Sequence, residues 1–450
     1  MTPPRSLGRS PEAFTFVDLF AGIGGFHHAL EDLGGECAMA VEIDSEAQSV
    51  YGAAFPRTRM ESDIRTLTRD EQGEDLPIER VAELVPDHDL ICAGFPCQPF
   101  SKSGFQRGVR DRTRGTLFFD VMTIILAKEP RFVMLENVRN LAGPRHADTW
   151  ATIIESLREA GYRVAGEPVV FSPHFLPPGS GGAPQVRDRV FILAHRVDGS
   201  SEETRRGNPL AARAPVQGWH PDRWRIEEYL EDDENIKDVD RYRLRDAEVG
   251  WIDAWNAFVQ MIPDDHLPGF PIWADEFKVV AEIDELTPEW KANFLRKNSA
   301  FYGEHMVLID KWLKKRWGPL KERVGDFPPS RRKFEWQARK WQPTQNDRDL
   351  HGLVMHMRPS GIRVKAPTYL PALVAINQTS IIGSRMRRIT PDEAARLQGI
   401  PSEPFGDAGV SDSAAYKQLG NAVNVGVVKY LAKLLFDDAS VERVNSVAGL

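Results

Sequence analysis

Residues 14–25 of the chain read FTFVDLFAGIGG. The first seven are mostly apolar and favour β-structure, and a helical pattern follows the glycines through Leu33. A strand, a glycine-rich turn and a helix form the opening of a nucleotide-binding α/β unit. The dinucleotide fingerprint needs a third glycine where this chain has His27, so the sequence favours a ligand without a pyrophosphate. A plain tight turn is the alternative.

Two carboxylates follow predicted strands in the same region. Residues 37–41 form a second predicted strand that ends at Glu42, about 20 residues after the glycines, where an acidic side chain can accept hydrogen bonds from a ribose. Residues 58–62 form a third predicted strand, and Asp63 after it could frame an adenine. A surface glutamate at Glu42 and a helix cap at Asp63 are the alternatives.

A cysteine lies in the stretch GFPCQPFS, residues 94–101. The apolar run 90–93 is bounded by Pro86 and Gly94, which predicts a buried strand that delivers Cys97 to its carboxyl end. Ligands bind at this end of the strands in open α/β sheets. Cys97 is therefore either a nucleophile or a buried structural thiol.

Two later segments add charge at strand ends. Strand 131–135 leads into Glu136, and residues 185–189, QVRDR, open another strand with two arginines on one face. Paired guanidinium groups suit a carbonyl oxygen or a phosphate, although an ion pair with a neighbouring carboxylate fits equally well. Residues 106–115 carry four arginines and predict a mobile segment that closes over an anionic substrate, or a solvated loop.

The middle of the chain has a different composition. Ten of the eleven tryptophans lie between residues 219 and 341, which predicts a separate domain with its own aromatic core. Residues 311–340 are rich in Lys and Arg, as a phosphate-tracking surface or a solvated helix face would be. A helix start is predicted at Thr390, and the apolar C-terminal helix is expected to return to the first domain.

Composition limits the class of protein. The 450 residues allow two or three domains, and the net charge of -8 excludes a uniformly basic nucleic-acid binder but not a local basic face. No apolar run is long enough to span a membrane, and we expect no secretory signal and a disordered segment at residues 1–11. Three cysteines without zinc-ligand spacing predict a reducing cytoplasm and no metal site.

Six motifs, in order, resemble those of the cytosine-5 DNA methyltransferases, as in bacterial restriction-modification systems. They are the cofactor loop 16–25, the Pro-Cys motif 94–101, Glu-Asn-Val at 136–138, Gln-x-Arg-x-Arg at 185–189, the segment 388–401 and the Gly-Asn-Ala-Val motif within 418–423. The motifs bracket residues 14–195 and 385–435, and residues 197–360 carry no motif that can be transferred.

The resemblance implies a fold and a domain division. We expect an α/β, doubly wound, Rossmann-like S-adenosylmethionine-dependent methyltransferase domain with a second, smaller target-recognition domain. The first domain would comprise residues 12–197 and 412–450, and the second residues 198–411. The resemblance also implies a cytoplasmic monomer whose substrate is double-stranded DNA. A cognate restriction endonuclease that acts at the same DNA site is the implied functional partner.

The resemblance also implies roles for individual residues. The catalytic group would be Cys97, Glu136, Arg187 and Arg189. The contacts to S-adenosylmethionine would be Asp18, Phe20, Gly22, Gly24, Glu42, Ile43, Asp63, Ile64, Pro96, Leu117 and Asn421. The DNA contacts would be Gln98, Ser101, Ser103, Arg107, Arg110, Arg112, Lys314, Lys315, Arg331, Arg332 and Lys333.

The implied reaction is methylation of carbon 5 of a flipped-out cytosine through a Cys97 adduct. A transfer-RNA cytosine-5 methyltransferase and a catalytically silent DNA-binding relative are the alternatives. A pyrimidine synthase that adds a cysteine to carbon 6 would lack the cofactor loop.

Overall fold

The computed structural model describes residues 13–96, 117–164, 166–197, 214–325, 327–338, 348–373 and 379–447. It divides into two compact units, unit 1 (residues 1–223 and 394–450) and unit 2 (residues 224–393). These boundaries differ from the expected 197/198 and 411/412. Trp219 Nε1 donates to the His174 carbonyl at 2.9 Å, and Gln398 Nε2 donates to Gln185 Oε1 at 3.0 Å, so these flanking segments belong to unit 1.

Unit 1 is built on one large sheet with strand order β3-β2-β1-β4-β5-β8-β6, in which β7 also pairs with β8. The first five strands in this order are parallel, whereas β6, β7 and β5 each pair antiparallel with β8. The strands are β1 (Phe14–Leu19), β2 (Gly35–Val41), β3 (Met60–Glu61), β4 (Leu90–Ala93), β5 (Phe132–Val138), β6 (Tyr162–Val164), β7 (Val169–Phe171) and β8 (Arg189–Arg196).

Helices cover both faces of this sheet. They are α1 (Gly25–Glu31), α2 (Ser45–Ala54), α3 (Arg65–Thr68), α4 (Ile78–Leu84), α5 (Leu117–Lys128) and α6 (Ala147–Glu159). Val17 and Leu19 of β1 pack in one cluster with apolar residues of α4, α5 and α6. All four residues of β4 are buried, as expected of a parallel strand covered on both faces. The predicted doubly wound α/β fold is confirmed, with an antiparallel edge beyond β5.

The C-terminal residues complete unit 1. They form α10 (Pro391–Gln398, which begins in unit 2), α11 (Glu403–Asp407), α12 (Asp412–Asn421) and α13 (Val425–Val447). Phe436 of α13 packs edge-on against Phe14 and Phe132, with ring centroids 5.2 and 4.9 Å apart. The predicted return of this helix to the first unit therefore closes one face of the sheet. No described helix is both long enough and apolar enough to cross a membrane.

Unit 2 combines helices with a sheet of short strands. The helices are α7 (Asp246–Met261), α8 (Glu289–Trp312) and α9 (Gly318–Val324), with one π-helical turn at Leu313–Trp317. The strands are β9 (Ile272–Trp273), β10 (Lys333–Trp336), β11 (Val354–Arg358), β12 (Gly361–Lys365), β13 (Ile381–Ile382) and β14 (Arg387–Arg388), in the order β14-β13-β11-β12-β10-β9.

Aromatic side chains form the core of unit 2. Trp255 is fully buried and stacks on Phe334 at 4.8 Å, and it packs against Trp312 at 5.3 Å. The indole N–H of Trp312 donates to the Ala254 carbonyl at 2.7 Å, so this polar group is satisfied inside the core. Part of the tryptophan content of this region therefore forms the hydrophobic core of unit 2.

Candidate active site

Two adjoining cavities lie at the carboxyl ends of the parallel strands of unit 1. The first measures about 420 Å³ and the second about 350 Å³, and Phe20, Glu42 and Pro96 line both. Binding sites in open α/β sheets are expected at this edge, and cavities for ligands of cofactor size fall in this volume range.

The glycine turn after β1 forms the floor of the first cavity. Gly22 and Gly24 have φ angles of 56° and 86°, and a Cβ on Gly24 would meet the Phe55 ring at 2.4 Å. Phe20, which is not glycine, also has a positive φ of 58°. Backbone strain of this kind collects at functional sites, where packing imposes it. Gly22 lines the cavity, whereas Gly24 sits behind it at the start of α1.

The Glu42 side chain is held by hydrogen bonds from two backbone N–H groups beside the first cavity. Its two carboxylate oxygens accept hydrogen bonds from the Gly22 N–H at 2.8 Å and from the Asp44 N–H at 2.7 Å. A carboxylate oxygen can accept more than one hydrogen bond, so Glu42 keeps lone pairs for ligand hydroxyl groups.

The second cavity has an apolar wall and one acidic corner. Ile43, Ile64, Pro96 and Leu117 line it together with Asp63. Ile43 is 66% exposed, so a bound ligand could cover much of its apolar surface. Asp63 is held by Arg65 at 2.6 Å, and the hydrogen bonds from Arg65 keep the pKa of this carboxyl below its ordinary value.

Asp18 does not reach either cavity. It is fully buried beneath the glycine turn, where the Cys92 thiol lies 3.6 Å from its Oδ1, and its Oδ2 has no hydrogen-bond partner among the described residues. Burial raises the pKa of Asp18 to about 8. Asp18 therefore lies behind the glycine turn, whereas Asn421 lines the first cavity.

A buried carboxylate and a partly buried guanidinium meet in the wall of the first cavity at the carboxyl end of β5. Glu136 Oε1 lies 2.8 Å from Arg189 Nε, and both residues line the cavity. Because β8 is antiparallel to β5, its first residue, Arg189, pairs with Val138 at the carboxyl end of β5. Burial raises the pKa of Glu136, while Arg189 and Arg187 act against this rise.

Arg187 is placed differently from the sequence expectation. Only 1% of it is exposed, it does not line the described cavities, and its Nη1 donates to the Gly420 carbonyl at 2.9 Å. Burial lowers the pKa of Arg187 to about 9. Its contact links the strand carrying Arg189 to the segment before Asn421, so it positions the cavity walls.

Asn137, which the sequence analysis placed in the Glu-Asn-Val motif without giving it a role, also lines the first cavity. Its Nδ2 donates to the Phe95 carbonyl at 2.8 Å, which ties β5 to the residue before Pro96. A Cβ on Gly94 would lie 3.6 Å from Glu136 Oε2, so the end of β4 runs beside the Glu136 carboxylate. The position of Asn137 directly after Glu136 was the available signal.

Several predicted residues lie outside the part of the chain that the structure describes. These are Cys97, Gln98, Ser101, Ser103, Arg107, Arg110 and Arg112. Pro96, the described residue next to Cys97 in the chain, lines both cavities.

The predicted DNA-contacting cations of unit 2 fall into two groups. Lys314 and Lys315 are exposed on the π-helical turn. Arg331, Arg332 and Lys333 are only partly exposed. Arg331 donates to the Arg358 carbonyl at 3.2 Å, and Arg332 donates to the Phe327 carbonyl at 2.8 Å. Lys333 Nζ lies 4.9 Å from the Trp273 ring centroid. Their contacts within unit 2 engage part of each side chain.

Comparison with known proteins gives the family. Residues 14–437 match the C-5 cytosine-specific DNA methylase family. The chain is 41% identical to the Type II methyltransferase M.AluI of Cellulosimicrobium cellulans, covering 95% of this chain and 92% of that protein. It is 28% identical to the Type II methyltransferase M.HpaII of Haemophilus parainfluenzae, covering 96% and 92%. A solved S. pombe Dnmt2 methyltransferase covers 95% of this chain and 99% of its own, with 17% identity and a TM-score of 0.47.

The chain therefore belongs to the C-5 cytosine-specific DNA methylase family. It is a DNA cytosine methyltransferase, as the six motifs in the sequence predicted.

Proposed function

We propose that the enzyme transfers a methyl group from S-adenosylmethionine to carbon 5 of a flipped-out cytosine in a specific double-stranded DNA sequence. One observation carries the proposal: a single cavity of about 420 Å³ has the glycine turn and Glu42 on one side and the Glu136–Arg189 pair on the other. A methyl donor beside Glu42 and a cytosine held by Glu136 could thus occupy the same cavity.

The two cavities suit S-adenosylmethionine. Glu42 offers fixed acceptors for ribose hydroxyl groups, and Phe20, Ile43, Ile64 and Leu117 offer apolar surface for an adenine. The cofactor carries no phosphate, which agrees with a turn that lacks the third glycine of a pyrophosphate cradle. When bound, S-adenosylmethionine supplies an electrophilic methyl group.

The chain itself must make carbon 5 nucleophilic. The Cys97 thiolate adds to carbon 6, and the electron pair of the 5,6 double bond moves into the ring as protonated Glu136 gives its proton to N3. Carbon 5 would then bond to the methyl carbon as the bond from that carbon to the sulfonium sulfur of the bound cofactor breaks, which leaves the sulfur as a neutral thioether. N3 would return its proton to the Glu136 carboxylate. A water molecule would then accept the carbon 5 proton, which re-forms the 5,6 double bond and releases the Cys97 thiolate. The buried position of Glu136 favours the protonated carboxyl that this step needs.

Arg189 and Arg187 have distinct parts in this scheme. Arg189 holds the Glu136 carboxylate at 2.8 Å and can reach the O2 carbonyl of the base from the same wall. Arg187 holds the Gly420 backbone, so it fixes the wall around Asn421 instead of contacting the base.

Unit 2 would read the DNA sequence, and the segment containing Arg107, Arg110 and Arg112 would contact the substrate with Gln98, Ser101 and Ser103. M.AluI and M.HpaII are named Type II methyltransferases. We therefore propose that the enzyme acts in the cytoplasm, as a monomer, and protects DNA from a restriction endonuclease that cuts the same site.

Transfer of tritium from methyl-labelled S-adenosylmethionine tests the proposal. Purified enzyme should label duplex DNA, and nuclease digestion should return the label as 5-methylcytosine. Bisulfite sequencing of the methylated plasmid would then give the recognised site. Label in transfer RNA alone, or in no nucleic acid, would contradict the proposal.

A further inference from the structure

Unit 2 contains a cluster of metal-ligating side chains that the methyl transfer does not use. Among the described residues, one group of His, Cys, Asp and Glu brings three donor atoms within 4.8 Å of one another: His266, Glu304 and His305. His266 ends the short 3₁₀ segment Asp264–His266, and the other two residues lie in α8. Motif spacing did not indicate this group, because His266 is far from the other two residues in the chain.

The three donor atoms form a small triangle. His266 Nδ1 lies 3.2 Å from Glu304 Oε1 and 3.4 Å from His305 Nε2, and the remaining side measures 3.9 Å. Ligands about 2.0–2.1 Å from a tetrahedral Zn²⁺ stand about 3.3–3.4 Å apart. The observed triangle is close to one face of such a tetrahedron, and small side-chain rotations would equalise its sides.

The local backbone and packing hold this arrangement. His305 has φ −116° and ψ 17° inside α8, so the helix bends at this residue. Its side chain is only 6% exposed and packs edge-on against Phe301 at 4.8 Å. Helix bends usually have an identifiable cause, and this one turns the His305 ring toward His266. The buried ring is fixed, whereas Glu304 is 61% exposed and leaves the cluster open to an ion from solvent.

The surroundings also suit a cation. Asp265 Oδ1 lies 3.7 Å from Nε2, the other ring nitrogen of His266. A small rotation of this exposed carboxylate would let it accept a hydrogen bond from Nε2–H, which leaves the Nδ1 lone pair for a metal. Two imidazoles and one carboxylate form a donor set that transition metals prefer over Mg²⁺ or Ca²⁺.

We propose that His266, Glu304 and His305 bind one Zn²⁺ ion, with water in the fourth position. The ion would join the segment before β9 to the bent part of α8 and would stabilise unit 2. This site is separate from the methyl-transfer chemistry, so its failure would leave the proposed function intact.

Isothermal titration of ZnCl₂ into the untagged full chain tests the site. The wild type should bind one equivalent of Zn²⁺. An excess of MgCl₂ should not weaken this binding. His266→Gln and Glu304→Gln alter exposed side chains and should each weaken Zn²⁺ binding by at least about tenfold. Addition of ZnCl₂ should raise the Tm of the wild type but not of these variants, since an ion that binds only the folded state stabilises it.

The chain offers a matched control in His351. This exposed histidine lies 3.0 Å from Asp349 Oδ1 and 3.1 Å from Asp253 Oδ1, but it is not in the three-donor cluster. His351→Gln should retain the bound equivalent. Wild-type protein that binds no Zn²⁺, or a His266→Gln variant that binds as tightly as the wild type, would overturn the proposal.

Discussion

The strand ends of unit 1 and the basic surface of unit 2 place charged side chains under opposite conditions. In unit 1 the Glu136 carboxylate is buried and lies 2.8 Å from the partly buried guanidinium of Arg189. In unit 2 Lys314 and Lys315 project into solvent, while Arg331 and Arg332 are partly engaged by carbonyl groups of their own unit. Under the proposed function, the first region would transfer a proton and the second would attract DNA phosphates.

This difference explains why the two regions leave different traces in the sequence. A buried acid has an altered pKa and needs fixed partners, so the residues next to it in the chain are constrained as well. An exposed lysine needs only a surface and a charge, and screening makes its exact position less important. The candidate active site therefore coincides with short motifs, whereas the proposed DNA-reading role of unit 2 is indicated in the sequence only by its composition.

The largest effect is expected at Glu136. Glu136→Gln keeps the size of the side chain but cannot give a proton to N3, so kcat should fall by about 10²–10⁴-fold. Steady-state kinetics with duplex DNA measures this change. Glu83→Gln, which alters a surface ion pair of unit 1, should remain near wild type. A decrease in kcat of less than twofold in Glu136→Gln would show that Glu136 is not the proton donor.

Glu42 should affect cofactor binding more than chemistry. Its carboxylate accepts the Gly22 and Asp44 N–H groups, and hydrogen bonds to charged groups contribute about 1.5–3 kcal/mol. Glu42→Gln should raise the KM for S-adenosylmethionine by about tenfold to hundredfold, with kcat at saturating cofactor little changed. The neighbouring exposed Glu46→Gln is the control. An unchanged KM in Glu42→Gln would place the cofactor elsewhere.

The exposed lysines of unit 2 should show a smaller, salt-dependent effect. Replacing Lys314 and Lys315 by Gln should weaken DNA binding by less than about tenfold and make its salt dependence shallower by about one unit per lysine. Fluorescence anisotropy across a salt series measures both. Lys291→Gln changes another exposed lysine of unit 2 and should have no effect. An unchanged salt slope in the double variant would exclude these lysines from the DNA surface.

The smallest expected effect is on the pH dependence of Tm. It compares one buried carboxylate of unit 1, Asp18, with one of unit 2, Glu248. Burial raises the pKa of Asp18 from 3.8 to about 8, so folding takes up a proton and stability is lost as pH rises through this range. Asp18→Asn should remove this loss and raise Tm relative to wild type by a few degrees more at pH 8 than at pH 6.

Glu248 in unit 2 should behave in the opposite way. Burial alone would raise its pKa, but hydrogen bonds from Arg388, at 2.6 Å, and from Arg245 lower it. Its stabilising contribution is therefore present above its ordinary pKa of 4.5 and is lost as pH falls through the lowered value. Glu248→Gln should lower Tm at pH 7 and approach wild type in acid. If the Tm difference from wild type changed with pH in the same direction for Asp18→Asn and Glu248→Gln, the opposite pKa shifts of the two carboxylates would be contradicted.

Features that depend on neighbours in the chain could be predicted in both units. Strand 90–93 matches the structure, and the helix start at Thr390 is a reciprocal cap in which Thr390 Oγ1 and Glu393 Oε2 accept each other's backbone N–H at 3.1 and 2.8 Å. Apolar runs, turn residues and caps depend on neighbours in the chain, so sequence alone reports them.

Features that depend on distant pairing were not predictable. Strand β5 continues through Glu136 to Val138, beyond its predicted end, because antiparallel β8 pairs with it and brings Arg189 to the Glu136 carboxylate. Arg187 meets Gly420, more than two hundred residues away, and no local pattern indicates this contact. The short strands of unit 2 also assemble from separate segments, so their sequence periodicity is too brief to identify them.

Mass spectrometry of the enzyme with duplex DNA carrying 5-fluorocytosine at the target tests the central claim most directly. Fluorine at carbon 5 blocks the final proton loss, so the wild type, with S-adenosylmethionine present, should accumulate a covalent complex joined through Cys97. Cys97→Ala should form none. A covalent complex of equal yield with Cys97→Ala, or attachment of the DNA at another residue of the wild type, would contradict the account.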